Sequence, residues 1–158
     1  MKTTEWEHEA RMAFNQVRKT SDDSKWNKGK APIGEGVFTK KRSKDFIANN
    51  SKWGDGEYIL MRTTFELDST DFDEYRLRVL AKMGFTIYLN DKQLFNYLWF
   101  EFSPFYKQYE IGKGNNKYFR KGTNVLAIYA GIGYDQENFE PIGQIDLYIE
   151  GLNTSVFK

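Results

Sequence analysis

The feature that most constrains the fold is an alternation of apolar and polar residues that starts at residue 58 and returns in several short runs. A repeat of two residues is the period of a β-strand, whose successive side chains point to opposite faces. The runs end in turn residues such as Asn90 and Asp91, which tolerate left-handed backbone. The predicted strands are centred on residues 59–67, 75–81, 85–89, 93–95, 125–130 and 145–149. Many short strands of this kind predict a mostly β domain, either a β-sandwich or a jelly roll.

The beginning of the chain follows a different period. Thr4 and Glu7 have the spacing of a capping box, which marks the start of a helix. Apolar residues then recur at steps of three and four, namely Trp6, Ala10, Ala13, Phe14 and Val17. This pattern predicts a helix over residues 4–19, lying against a sheet or docking on a neighbouring domain. We therefore predict an N-terminal helix and linker over residues 1–25 and one β-sandwich domain over residues 26–158.

The composition argues against several classes of partner. The chain has 158 residues and a formal net charge of +1, which gives no field to attract nucleic acid or an anionic membrane. It has no cysteine, so it can form neither a disulfide nor a thiolate metal site. No stretch approaches the roughly 18 apolar residues of a membrane span. We expect no nucleic-acid partner, no membrane span, no metal and no cofactor.

Four segments of the chain follow one another in a familiar order. They are residues 26–34, 58–67, 85–91 and 121–128. Together they resemble the galactose-binding-like β-sandwich modules found beside glycoside hydrolases of the β-galactosidase type. They are more similar still to modules attached to glutaminase-type and other secreted proteins of gut Bacteroidetes. The resemblance extends from residue 26 to about residue 150.

The resemblance implies a galactose-binding-like jelly roll with a non-catalytic role in a larger protein. Members of the family are usually exported, so the resemblance also implies a secreted, periplasmic or cell-surface location. The first residues contain no apolar signal-peptide region. An exported protein would then have lost its signal peptide from this chain.

The residues give little support for catalysis. His8 is the only histidine, it lies on the predicted helix, and no Gly-x-Ser-x-Gly motif accompanies it. The acidic cluster at residues 68–74 falls between two predicted strands, where a solvated turn is the favoured interpretation and a calcium site the alternative. We therefore predict no catalytic residue and a protein that is not an enzyme.

Residues 94–109 are unusually rich in aromatic side chains. Half of these sixteen residues are aromatic: Phe95, Tyr97, Trp99, Phe100, Phe102, Phe105, Tyr106 and Tyr109. Because both faces of a strand in this segment would be apolar, the rings are either buried in the core or form a covered patch. Any rings left exposed would be candidates for ligand binding, and the candidates here are Tyr97, Trp99 and Tyr106.

Two loops supply further candidates. Tyr134 and Asp135 lie in a segment that combines a ring with acids and amides, the mixture found in sugar sites. Trp53 lies in a glycine-rich loop of similar character, and packing within the loops is the alternative at all three positions. Arg62 is placed opposite Met61 on its strand, where it can pair with an acidic neighbour.

Two functions fit these observations. The first is a non-catalytic accessory module of a secreted bacterial protein that binds carbohydrate through Trp53, Tyr97, Trp99, Tyr106, Tyr134 and Asp135. The second is a structural or interaction module that packs on a neighbouring protein domain or subunit and has no small ligand. Exposed rings flanked by Asp, Asn or Gln would favour the first function, and a flat apolar patch would favour the second.

Overall fold

A computed structural model of the protein describes residues 22–35, 47–53, 58–98, 105–134 and 141–154. The predicted helix at 4–19 and His8 lie outside these ranges. Within them, ten strands and one short 3₁₀ helix over Lys113–Tyr118 form a β-sandwich, which confirms the predicted fold class. The strands are β1 (Ile33–Glu35), β2 (Ser51–Lys52), β3 (Tyr58–Leu67), β4 (Glu74–Ala81), β5 (Phe85–Leu89), β6 (Lys92–Tyr97), β7 (Lys107–Ile111), β8 (Gly122–Gly131), β9 (Gly133–Tyr134) and β10 (Pro141–Leu152).

The strands are divided between two sheets. Sheet A has the order β2-β1-β10-β4-β7, with β9 paired to β10, and sheet B has the order β3-β8-β5-β6. β1 and β2 are parallel, and the other recorded pairs are antiparallel. No helix within the described ranges has the length and apolar character needed to cross a membrane.

The core lies between the two sheets and follows the predicted alternation. Tyr75, Leu77, Val79 and Ala81 of β4 are all buried and belong to one apolar cluster. Their partners in β10 are also on this face, since Ile145 pairs with Ala81. Sheet B contributes Phe85, Ile87 and Leu89 from β5, and Leu126, Ile128 and Ala130 from β8. The period of two is therefore set by burial of one face of each strand against the opposite sheet.

The outer face of sheet B is also covered in part. Trp26 and Leu60 pack there against Tyr88 and Ala127, both of which are buried. This contact attaches the chain before β1 to the outside of sheet B, although Trp26 is distant in sequence from β5 and β8.

Within the described ranges no further strand pairs with the terminal strands of either sheet, so this part of the sandwich has two open sides. On one side, β6 of sheet B lies near β7 of sheet A, and a group of rings fills the gap. Phe95 and Tyr97 of β6 have ring centroids 4.9 and 5.4 Å from that of Tyr109 in β7, and all three rings contact Phe85. We call these four residues the aromatic closure. On the other side, β2 and β3 are the terminal strands.

Candidate functional site

A cleft of about 1050 Å³ lies on the open side between β2 and β3, and we call it the edge cleft. Its first wall is the segment 23–29, its second wall is formed by Ile33 and residues 51–53, and its floor is residues 59–62 of β3. The edge cleft therefore has contributions from both sheets and from the chain that precedes β1.

Local hydrogen bonds shape the first wall. The Ser24 backbone N–H donates to Asp22 Oδ1 at 3.0 Å, and the Trp26 N–H donates to the Asp23 carbonyl at 3.0 Å. The bond from Ser24 favours the ionised carboxylate and lowers the pKa of Asp22. Asx turns of this kind reverse the chain within a few residues. Trp26 is thereby brought back onto Leu60 and Tyr88, which holds the wall against sheet B.

Hydrogen bonds to β1 and β2 hold the second wall. The Lys30 N–H donates to Ser51 Oγ at 2.7 Å, and Asn50 Nδ2 donates to the Ala31 carbonyl at 2.7 Å. The Trp53 N–H donates to the Gly34 carbonyl at 2.8 Å. The Trp53 side chain is 8% exposed, belongs to the main core and lines the edge cleft.

The floor of the edge cleft is formed by β3, whose two faces pack against different apolar clusters. Ile59 and Met61 pack against the main core, whereas Leu60 belongs to the outer cluster around Trp26. Arg62, whose side chain is 13% exposed, places Nη1 3.5 Å from Asp23 Oδ2. The sequence interpretation that Arg62 pairs with an acidic neighbour is thus confirmed, and the pair links the floor to the first wall.

A second surface of interest lies on the outer face of sheet A, and we call it the tyrosine face: Tyr106, Asp146 and Tyr148. The Tyr106 hydroxyl donates to Asp146 Oδ2, and the rings of Tyr106 and Tyr148 are 5.4 Å apart. Burial, and next the bond to Asp146, raise the pKa of Tyr106 well above its usual range. Tyr148 is 48% exposed, and Arg78 on the neighbouring strand pairs with Glu150 at 3.0 Å. This face thus combines rings with charged and hydrogen-bonding groups.

Four of the six sequence-predicted site residues lie in the described ranges, at four separate positions. Trp53 lines the edge cleft, Tyr106 lies on the tyrosine face, and Tyr97 packs in the aromatic closure. The Tyr134 backbone pairs with Pro141. Trp99 and Asp135 lie outside the described residues.

Some residues of these surfaces were missed by the sequence interpretation of the site. Asp23 and Asn27 accompany Trp53 in the edge cleft, and Tyr148 accompanies Tyr106 on the tyrosine face. The polar face of the last strand, with Asp146, Tyr148 and Glu150, contained a usable signal, since an aromatic residue between two acids resembles a sugar-binding surface.

Metal binding finds no support in the described part of the chain. Within those ranges, no group of three or more His, Cys, Asp or Glu side chains is placed to hold a metal ion. The acidic turn at 68–73 is instead tied to the end of β10, because Asp73 Oδ2 accepts hydrogen bonds from the N–H and hydroxyl of Thr154 at 2.7 and 2.9 Å.

Comparison with known proteins gives a limited result. No protein-family model matches the sequence, and no curated protein matches it. Among solved structures, the chain is similar to a glycosyl hydrolase family 2 member from Bacteroides cellulosilyticus DSM 14838, with 17% identity, a TM-score of 0.46, and coverage of 85% of this chain and 18% of that one.

Two further solved structures show a similar degree of likeness. A β-glycosidase from Bacteroides vulgatus has 13% identity and a TM-score of 0.45, over 87% of this chain and 18% of that one. Native α-L-rhamnosidase from Aspergillus terreus has 14% identity and a TM-score of 0.43, over 63% of this chain and 13% of that one. The chain thus spans less than a fifth of the length of each of these three proteins.

Proposed function

We propose that the protein is a non-catalytic, carbohydrate-binding accessory module that holds its ligand in the edge cleft. The observation that carries this proposal is that two tryptophans, Trp26 and Trp53, line one concave site together with an ion pair and an exposed amide. The proposal takes the sandwich to be of the galactose-binding-like kind that the sequence resembles. It also places the module in a larger exported bacterial protein, in the periplasm, at the cell surface or in the medium.

The chemistry of the edge cleft suits a saccharide. A sugar ring has an apolar C–H face and a rim of hydroxyl groups, so it is held by an aromatic surface with polar groups beside it. Trp26 is half-buried and supplies such a surface, while Asn27, Ser51 and the Arg62–Asp23 pair supply donors and acceptors. The edge cleft has a volume of about 1050 Å³, which is close to the upper end of the volumes of small-molecule sites, about 300–1,000 Å³. An oligosaccharide could therefore be accommodated.

The carboxylates of the edge cleft support a non-catalytic role. Glycoside hydrolysis usually requires two carboxylates on opposite sides of the scissile bond, about 5–10 Å apart. Among the described residues that line the cleft, Asp23 carries the only carboxylate, and it is paired with Arg62. The described lining therefore lacks the second carboxylate that an acid–base pair requires, which supports the proposed non-catalytic role.

A glycan-array screen followed by titration calorimetry tests the proposal. We expect at least one defined glycan to bind, and Trp26→Ala and Asn27→Ala to weaken that binding about tenfold or more. Asn153→Ala, an exposed amide on the chain after β10, is the matched control and should bind as the unchanged protein does. Thermal unfolding of each variant establishes that it is folded.

Other outcomes would redirect or end the proposal. An array that gives no binding with folded protein would contradict it. Glycan binding could also be unchanged in both cleft variants and lost in Trp99→Ala or Tyr134→Ala. That result would place the site at the sequence-predicted aromatic positions and not in the edge cleft.

A second candidate function is an interaction module that packs on a neighbouring domain or subunit. The exposed rings favour it, because Phe105 is 66% exposed and Tyr148 is 48% exposed beside Tyr106. Sedimentation equilibrium tests the subunit form of this function. Self-association that is weakened in a Phe105→Ser/Tyr148→Ser variant and unchanged in Tyr58→Ser would support it, since Tyr58 is similarly exposed on the other sheet. A monomer at all concentrations would contradict it.

A further inference from the structure

The described lining of the edge cleft carries an excess of positive charge, although the total charge of the protein is almost balanced. Its described lining includes four cationic side chains, Lys25, Lys28, Lys52 and Arg62, and one carboxylate, Asp23. The formal charge of the lining is therefore +3, whereas the charge of the whole chain is +1. The rest of the chain therefore has a formal charge of −2, and the described lining of the edge cleft differs from it in sign.

The position of Arg62 increases the effect of this charge. Its side chain is largely removed from water, and its pair with Asp23 has an N–O distance of 3.5 Å. Charge-assisted hydrogen bonds are shorter, about 2.7–2.9 Å, so the Arg62–Asp23 contact is a long ion pair. A charge in a partly buried position interacts more strongly with an incoming anion than one in bulk water does, because the effective dielectric constant is lower.

The three lysines surround this position on two walls. Lys25 and Lys28 belong to the first wall, and Lys52 belongs to β2 on the second wall. All three are exposed, so each can move its ammonium group toward a ligand on a flexible stem. Arg62 on the floor offers a planar guanidinium, whose geometry matches a carboxylate or sulfate with two parallel hydrogen bonds.

We propose that the ligand of the edge cleft is an acidic saccharide, one whose ring bears a uronate carboxylate or a sulfate ester. The anionic group is directed toward Arg62 and Lys52, and the apolar face of the sugar lies on Trp26. This inference rests on the proposed carbohydrate-binding function of the same cleft and adds the charge of the ligand to it. Trp26 accounts for binding of the sugar ring, and the four cations account for recognition of its charge.

Titration calorimetry with three trisaccharides tests the charge of the ligand. The probes are trigalacturonate, a sulfated galactotriose and neutral galactotriose, each measured at about 50 mM and about 300 mM NaCl. We expect one or both acidic probes to bind at least about tenfold more tightly than the neutral one, with the difference reduced at the higher salt. Tighter binding of trigalacturonate identifies a carboxylate as the recognised group, and tighter binding of the sulfated galactotriose identifies a sulfate ester.

Variants of the lining make the test specific to the edge cleft. Lys52→Gln should weaken binding of the acidic probe by about fivefold or more and leave binding of the neutral probe unchanged. Arg62→Gln should weaken binding of the acidic probe by at least about fivefold more than it weakens binding of the neutral probe. Asp23→Asn should strengthen binding of the acidic probe, since it removes the one negative charge from the described lining. Lys92→Gln is the matched control, because Lys92 is exposed on β6 on the opposite side of the sandwich. Lys52 is exposed, so its variant remains informative if Arg62→Gln fails to fold.

The outcomes separate this inference from the proposed function. If the neutral trisaccharide binds as tightly as the acidic ones and Trp26→Ala removes its binding, the inference is overturned and the proposed function stands. If none of the trisaccharides binds and the glycan array is also silent, both fail. A short single-stranded oligonucleotide that binds as tightly as the acidic saccharides would show a general polyanion site and would also overturn the inference.

Discussion

Asn90 and Asn124 form a buried amide pair that joins the β5–β6 turn to the beginning of β8. Asn90 Nδ2 donates to Asn124 Oδ1 at 2.8 Å, and both side chains are removed from water. Asn90 Oδ1 accepts the Val125 N–H at 3.0 Å, and Asn124 Nδ2 donates to the Arg120 carbonyl at 2.7 Å. Since the two amides satisfy each other and the adjacent backbone, the pair fixes the turn in one position.

Removing one member of this pair should destabilise the protein. Asn124→Ala leaves buried donors and acceptors unpaired, and we expect a loss of about 1–3 kcal/mol for each group left unsatisfied. Asn90→Gly keeps the positive φ of 49° accessible and removes only the side chain, so it separates the amide from the backbone effect. Urea unfolding measures both. Asn153→Ala, an exposed asparagine, should change stability by less than about 0.5 kcal/mol, and an equal effect at Asn153 would contradict the assignment.

The aromatic closure should contribute strongly to stability. Phe85 is fully buried and contacts the rings of Phe95, Tyr97 and Tyr109. Phe85→Ala removes the shared partner and should cost about 3–5 kcal/mol in urea unfolding. Phe105→Ala is the same substitution at a ring that is 66% exposed, and it should cost less than about 0.5 kcal/mol. Comparable losses at both positions would mean that the closure does not hold the sandwich together.

Gly84 allows the β6 backbone to come close to the start of β5. A Cβ added there would lie 2.9 Å from the Tyr97 carbonyl oxygen and 3.3 Å from Leu98 Cα. These are backbone atoms and cannot rotate away, so Gly84→Ala should lower the unfolding temperature by several degrees, equivalent to about 1–3 kcal/mol. Gly112→Ala meets no atom within 4 Å and is the matched control. An unchanged unfolding temperature for Gly84→Ala would show that the strand ends can separate freely.

Tyr106 should make the folded protein less stable at alkaline pH. Its pKa is raised by burial and by the bond to Asp146, and burial raises the pKa of Tyr75 as well. Below about pH 10 the phenol is neutral in both the folded and the unfolded chain, so it adds no pH dependence. Above that pH the unfolded chain releases a proton that the folded chain keeps, and stability falls as the pH rises.

Urea unfolding between about pH 8 and pH 11 measures this loss of stability as a fall in the free energy of unfolding. Tyr106→Phe should reduce the fall in stability above pH 10, and Asp146→Asn should reduce it in part, since it removes the carboxylate charge and keeps an acceptor oxygen. Absorbance of the tyrosinate form should show a late-ionising group that disappears in Tyr106→Phe. An unchanged slope in that variant would contradict the assignment.

The alternation of apolar and polar residues predicted the strands well, because a strand with one buried face has an apolar residue at every second position. The apolar run at 125–130 lies inside β8, and the turn at Asn90 and Asp91 occurs where it was predicted, with φ angles of 49° and 67°. The aromatic segment was harder to interpret. Alternation separates two faces of a strand, but it does not show which face meets the opposite sheet, and so it did not place Tyr97 in the aromatic closure.

The edge cleft could not be assembled from the sequence. Asp23, Trp53 and Arg62 come from three separate segments that meet because β2 and β3 end their sheets on the same side. That arrangement depends on which strands pair, and β3 pairs with β8 across more than fifty intervening residues. Periodicity within a segment does not specify which distant strands pair. The cluster of cations in the edge cleft could therefore be recognised only from the arrangement of the two sheets.

The position of β10 between β1 and β4 has a consequence for synthesis of the chain. β1 pairs with β10 through Ile33 and Ile145, so the antiparallel partner of β1 is synthesised more than a hundred residues after it. A ribosome-bound chain that ends before residue 141 could form the β5–β6 hairpin but could not complete sheet A. The second wall of the edge cleft is built on β1 and β2, so the edge cleft is completed only after β10 has been synthesised.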